Sequence, residues 1–381
     1  MKIAFLDHSY HKKTKSTSFL ADILQKNNHE IEYIWDEAWC GGKSVVFDDI
    51  VGKYDAFVFF QSIPTSSEPF YKTGANITFI PMLDSFGSEY SFHKKYGILS
   101  NWESFYGCKV LCFSKYLANV YLSNGIAAKH FKYYPNPDEF KTNFNIENKK
   151  GFFWPRRPDQ INWRMIKQIV EKASIDSMHV HLVEDPGVEK DVVSVEEMEK
   201  FNVTVSNWSE DKNVYIKAVE ESSMFFAPRF CEGIGMSFLE AMAMGKCVIA
   251  PNVGTMNEYI TSGLNGVLYD INHDKSIKTI PESISFDVCS VQEMCRNAKK
   301  SIELGYNYWL SKEKEIVEFI IENPKLIYEM SFQLMMEPPL VATIQTQASQ
   351  GSSSFYKKIK HKLKKYKAIR YIHALLIKRD R

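Results

Sequence analysis

Short apolar runs of strand length return along this chain with room for a helix between each pair, and that rhythm restricts it to a layered α/β fold. Lys2–Leu6 (KIAFL), Glu30–Trp35, Ala56–Phe60, Ile77–Pro81 and Val110–Phe113 form a first series, with helices predicted over Thr17–Gln25 and Tyr116–Asn124. Runs that are apolar throughout suit parallel strands covered on both faces. A second series starts at Gly151–Trp154 (GFFW) and continues through Val180–Val183, the FNVTV segment around Val203, Met224–Ala227 and Lys246–Ala250. Between the two, Tyr134-Pro135-Asn136-Pro137-Asp138 gathers proline and turn residues ahead of a polar stretch. The reading is therefore two doubly wound domains, 1–147 and 148–310. Helices at 311–340 follow, then a polar linker at 341–354 and a basic segment at 355–381. Doubly wound sheets bind ligands beyond the carboxyl ends of their strands, so the loop after Val183, the Arg156-Arg157 loop and the loop holding Glu232 are expected to converge.

That last loop names a chemistry. Pro228 stops the Met224–Ala227 strand, Gly233 and Gly235 allow a tight turn, and a helix is predicted over Met236–Met244. A helix N-terminus offers unpaired N–H groups and the positive end of the macrodipole, which suits a phosphate. Gly233, Ile234, Gly235 and Met236 are thus the expected diphosphate cradle. Glu240, about one turn inside the helix, can accept a bidentate pair from a ribose diol. Glu232, in the turn, can accept from a sugar hydroxyl.

The E-x7-E pair in CEGIGMSFLEAMAMGKCVIAPNVGTMNEYI, with the later GLNGVLYD, resembles the donor site of retaining glycosyltransferase family 4, whose fold is GT-B. The resemblance implies two Rossmann-like domains facing a cleft, the first on the acceptor side and the second holding a nucleotide-diphosphate sugar. It implies terminal helices that cross back to the first domain, and retention of anomeric configuration. Neither a metal nor another cofactor is expected, and the departing phosphate helps deprotonate the acceptor. Family members carry an arginine after the first strand of the second domain and a lysine five residues on. Here Arg156 and Arg157 occupy the first place, Arg157 the preferred one, but Asn162 stands where the lysine belongs. The other arginine, Arg164 or Arg229 is left to supply the second cation. Asp84, ending the ITFIPMLDSFG segment, stands where relatives place a histidine or aspartate near the reacting carbon. With Glu232 and Arg157 it completes the expected catalytic set. The first domain lacks the usual glycine pair after its first strand. Asp7-His8-Ser9-Tyr10-His11 stands there, and Thr14–Ser18 offers hydroxyls to a phosphate or acceptor; His8, His11 and His93 are further candidates beside the cleft.

Composition excludes other classes. With 45% hydrophobic and 24% charged residues the chain has enough apolar material for two cores. Seven cysteines without a CxxC pair read as reduced core residues. Gly41-Gly42-Lys43-Ser44 copies only the tail of a phosphate-binding loop, Asp48-Asp49 is no DxD metal pair, and Gly233-x-Gly235 is no dinucleotide fingerprint. No leader and no membrane span is expected, which points to the cytoplasm. The net charge of +1 hides an asymmetry: residues 355–381 hold 11 Lys and Arg against Asp380 alone. There Phe355, Ile359, Leu363, Tyr366, Ile369 and Ile372 recur at helical spacing, the pattern of a helix lying on an anionic membrane surface. No base-stacking module accompanies it, so nucleic acid is not expected as a partner. The whole reads as a glycosyltransferase peripheral to the inner membrane face, acting on a saccharide or lipid-linked acceptor in cell-surface polysaccharide or glycolipid assembly. A sugar-nucleotide epimerase or hydrolase on the same fold, or a non-catalytic nucleotide-sugar-binding scaffold, are the alternatives.

Overall fold

The structure, a computed structural model, describes residues 1–86, 105–144, 146–185, 187–209, 211–272 and 276–324. His93, the linker at 341–354 and the basic segment at 355–381 lie outside the described residues. The strands form two sheets. The first holds β1 (Lys2–His8), β2 (Glu30–Asp36), β3 (Ala56–Phe60), β4 (Ile77–Ile80), β5 (Lys109–Cys112) and β6 (Ala127–His130), in the order β2-β1-β3-β4-β5-β6. All neighbours in it are parallel. The second holds β7 (Lys150–Phe153), β8 (Ser177–His181), β9 (Val203–Ser206), β10 (Met224–Phe226), β11 (Cys247–Pro251), β12 (Gly266–Ile271) and β13 (Ile277–Thr279), in the order β13-β12-β11-β10-β7-β8-β9. Only its β12–β13 pair is antiparallel.

The uniformly apolar strands sit where their composition requires. Every residue of β3, β4, β10 and β11 is buried, because helices cover both faces of each sheet. β6, β12 and β13 were not among the expected strands. β6 (AAKH) is a half-buried edge in which each face pairs an alanine with a polar residue, and β13 is a short antiparallel edge.

One helix of 34 residues, Val288–Ile321, links the two sheets. Asp287 caps it by accepting from Ser290 N at 2.9 Å. Its first half packs Val291, Met294, Cys295 and Ala298 on the second sheet, and Cys295 Sγ donates to Ser223 O at 3.2 Å. Its second half reaches the first domain, where the Trp309 ring meets Phe19 and Tyr133 at 5.8 and 5.3 Å. Gly305 lets Tyr134 press against the helix, since a Cβ there would lie 2.1 Å from that ring. The helix ends on the first sheet: Asn76 Nδ2 donates to Ile321 O at 2.9 Å, and buried Lys109 donates to Ile320 O at 2.6 Å and Glu322 O at 2.5 Å. This crossover is therefore a single helix running unbroken through residue 310.

Candidate active site

β7 and β10 are neighbours, but the chain leaves β7 toward β8 and leaves β10 toward β11 on the opposite side. Their carboxyl ends flank a topological switch point, where a crevice opens between diverging loops. The loop after β10 carries Arg229 and Glu232, and that after β7 carries Arg156 and Arg157. The loops are stitched together: Phe230 N donates to Gln160 Oε1 at 3.2 Å, and Asp185, in the loop after β8, donates its N–H to Arg156 O at 2.9 Å. The expected convergence of three loops is what the structure shows.

Two glycines shape the turn. Gly235, at φ +81°, precedes the Met236–Ala243 helix, and a Cβ on it would lie 1.9 Å from the Phe238 ring. A side chain at that left-handed position is both strained and blocked. No side chain caps this helix, so its first amides have no side-chain acceptor. Gly233 allows close approach to the first domain: a Cβ there would lie 2.7 Å from Met82 Sδ and 2.9 Å from Asp84 Oδ1.

Across that contact the two domains share one charge cluster. Arg229 Nη1 lies 2.7 Å from Asp84 Oδ2 and 3.6 Å from Glu232 Oε2. Burial pushes the Glu232 carboxyl up to about 7, against the opposing pull of Arg229. For Arg229, burial works to lower the guanidinium pKa, but the Glu232 and Asp84 carboxylates outweigh it and hold the value above its usual range. Asp84 Oδ1 and Arg229 Nε are buried with no partner, so the cluster keeps an unused acceptor and an unused donor. Thr255 Oγ1 donates to the carbonyl of Glu232 and fixes the turn from behind.

The remaining expected residues separate into two groups. Glu240, on the first helix after the turn, is held up to about 7 by burial, with Glu139 adding to the effect, and it acts electrostatically on Tyr133 and Tyr215. Arg156 contacts Asp185 Oδ1 at 2.6 Å and lies 5.6 Å from the Trp154 ring centroid. Arg157 forms a two-pronged pair with Asp159 at 2.9 and 2.8 Å. The cation closest to Glu232 is thus Arg229, three residues before it, and not Arg157. Asp185 was missed by sequence reasoning; its only signal is a position after a strand end. Glu258 also has a part there: it accepts from Lys115 N at 2.8 and 3.0 Å and from Ser114 Oγ at 3.0 Å, holding the start of the Lys115–Ser123 helix of the first domain.

One group of potential metal ligands occurs among the described residues: Asp7, His8 and His11, with ligand atoms within 4.8 Å of one another. Asp7 already accepts from His11 Nδ1 at 2.7 Å and from Thr17 Oγ1 at 2.8 Å, so hydrogen bonds account for its carboxylate.

Two facing parallel α/β domains with an anion-ready helix start at their junction define a GT-B architecture. Residues 189–301 match the family of glycosyl transferases group 1, and the chain carries a domain of that family. The D-inositol 3-phosphate glycosyltransferase of Paenarthrobacter aurescens is 29% identical over 153 residues, which are 40% of this chain and 34% of that protein. The chain spans about a third of that curated relative's length. Among solved structures, sucrose-phosphate synthase from Thermosynechococcus elongatus superposes with TM-score 0.54 at 11% identity, covering 88% of this chain and 98% of that one. Anabaena HepE in complex with UDP-glucose superposes with TM-score 0.50 at 14% identity, covering 84% and 98%. At these identities the superpositions establish the fold.

Proposed function

We propose that this chain is a retaining glycosyltransferase that moves a sugar from a nucleotide-diphosphate donor to a saccharide or lipid-linked acceptor. The observation that carries the proposal is the Asp84–Arg229–Glu232 cluster beside the uncapped Met236–Ala243 helix, at the switch point and inside the group 1 match. Glu240 binds the ribose diol and Glu232 a hydroxyl of the donor sugar. The diphosphate lies on the amides from Gly233 to Met236, with Arg156, Arg157 and Arg229 offsetting the charge that grows on the leaving group. Asp84 positions Arg229. These cations and amides supply the charge stabilisation a metal would otherwise give, so transfer is expected to persist in EDTA.

UDP-glucose, the ligand of the Anabaena structure, is the first donor to try. Calorimetry on the full chain tests the ribose role: Glu240→Ala removes two charge-assisted hydrogen bonds and is expected to weaken binding about 30-fold or more. Unchanged affinity would refute it. Nucleotide release without transfer to any acceptor would instead indicate a hydrolase.

The segment 355–381 is proposed to bind anionic membrane surfaces, an assignment supported by its charge and apolar spacing. In flotation with phosphatidylserine vesicles, deletion of 355–381 is expected to abolish co-flotation while sparing donor binding. Full co-flotation of the truncated chain would defeat the assignment. Among the described residues, no helix is long and apolar enough to cross a membrane.

A further inference from the structure

Two imidazoles at the end of β1 have no part in the donor cluster. Asp7 and His8 close that strand, His11 opens the four-residue helix His11–Thr14 just after it, and Gln61 follows the neighbouring strand β3. The hydrogen bonds that account for the Asp7 carboxylate leave the lone pairs of the two rings unexplained. Gln61 is held at φ +62°, a left-handed conformation that a non-glycine residue rarely adopts and that persists only where the surroundings fix it.

Each ring is set in one tautomer by a fixed neighbour. Asp7 is fully buried, and His8 N, Thr17 Oγ1 and His11 Nδ1 converge on its carboxylate within 2.9 Å. A carboxylate only accepts, so Nδ1 of His11 carries a proton and, in the neutral ring, Nε2 keeps its lone pair. For His8 the roles are reversed. Its Nδ1 is buried with no hydrogen-bond partner while Gln61 hydrogen-bonds with the ring, so that contact runs through Nε2. Gln61 directs its amide N–H to Ser85 Oγ at 3.4 Å, which leaves its carbonyl to accept from His8 Nε2–H. The lone pair on His8 Nδ1 then meets no donor. The two rings lie 3.7 Å apart, centroid to centroid, and the ligand atoms of Asp7, His8 and His11 fall within 4.8 Å of one another. A buried polar atom with no protein partner calls for a water or an ion. Imidazoles whose other N–H is given to a carboxylate or an amide carbonyl have the outer-shell support that orients histidine toward a metal and raises its basicity. Nitrogen donors select zinc and the later transition metals over magnesium or calcium, which take oxygen.

We propose that His8 Nδ1 and His11 Nε2 bind a transition-metal dication such as Zn²⁺, with Asp7 and Gln61 orienting the rings and water completing the coordination. The buried Asp7 carboxylate, behind His11, offsets part of the charge the ion brings. The ion ties the His11–Thr14 helix, which no side chain caps, to the end of β1. Arg229, Asp84 and Glu232 take no part in holding it, so the site stands whether or not the glycosyltransferase reading does, and transfer does not require it.

The test uses the full chain, free of any histidine tag, stripped with EDTA and desalted. Equilibrium dialysis is expected to show one Zn²⁺ held per chain at micromolar free metal, with a rise in melting temperature, since the ion binds the folded state. His8→Ala and His11→Ala are each expected to weaken binding about 100-fold or more, and Gln61→Asn, which tolerates the left-handed backbone but shortens the reach to His8, about 10-fold. Gln61→Asn keeps both rings, so it reads the same site where a histidine variant fails to fold. Co²⁺ in place of Zn²⁺ is expected to give the visible bands of nitrogen and oxygen ligation, lost in the histidine variants. Absence of Zn²⁺ binding below millimolar metal overturns the proposal, as does undiminished binding by folded His8→Ala and His11→Ala chains. A thiolate-to-cobalt absorption band places the ion on cysteine and overturns it as well. Equal competition by Mg²⁺ overturns the nitrogen-donor assignment, and unchanged affinity in Gln61→Asn overturns the orienting role of Gln61.

Discussion

Burial of Glu240 links stability to pH. Its carboxyl sits at about 7 because burial penalises the charge, whereas an unfolded chain would ionise it near the ordinary 4.5. Between those values the folded chain binds more protons than the unfolded one, so stability falls as pH rises from about 4.5 to about 7. The difference is worth up to about 3 kcal/mol at and above pH 7. Urea unfolding at pH 5 and pH 8 is expected to show this loss, and Glu240→Gln to remove much of it; an identical pH profile for the variant would count against the burial argument. Under the proposed ribose role, the diol needs the ionised form as acceptor, so donor affinity should rise over the same interval. At this scale the sequence offers candidates and not their pairing. Glu232 and Glu240 could be singled out because eight positions and two glycines place them, but the Arg229–Asp84 contact joins residues 145 positions apart. Nothing local in either segment encodes that meeting.

At the scale of elements, the turn into the Met236–Ala243 helix is the most demanding piece of backbone. Gly235→Ala places a methyl group where φ is +81° and where Phe238 already sits, so destabilisation by about 2 kcal/mol or more is expected in chemical denaturation. Gly52→Ala shares the sign of φ, at +83°, but meets open space, and it should cost less. An equal loss in both would show that Phe238 moves aside freely. Strands were legible where both faces are buried, as in β3 (AFVFF), since continuous apolar runs leave little choice. Two edge strands, β6 and β13, were not legible, since they mix polar and apolar residues and only neighbouring strands decide their conformation, whereas the edge strands β2 and β9 were.

For the molecule as a whole, the two sheets were visible in the sequence as two series of strands and the crossing helix was expected, whereas the side-chain ties between the domains were not. Glu258 holds the start of a first-domain helix from the second domain, with its carboxyl kept below the ordinary range by His130 and the Lys115 amide against the opposing effect of burial. Glu258→Ala leaves Lys115 N and Ser114 Oγ without this acceptor and should destabilise the chain by about 1–3 kcal/mol, measured by urea unfolding; Glu258→Gln should recover part of the loss. A change below about 0.5 kcal/mol would show that water replaces the carboxylate at no cost.

Arg229 carries its counter-ion from the opposite domain. Its guanidinium meets Asp84 through Nη1 and leaves Nε without a partner, so under the proposed reading a diphosphate would find a free donor on a side chain that is already clamped. The attachment between the two halves would then outlast donor capture, and Asp84→Ala should loosen the domains whether or not a nucleotide is present.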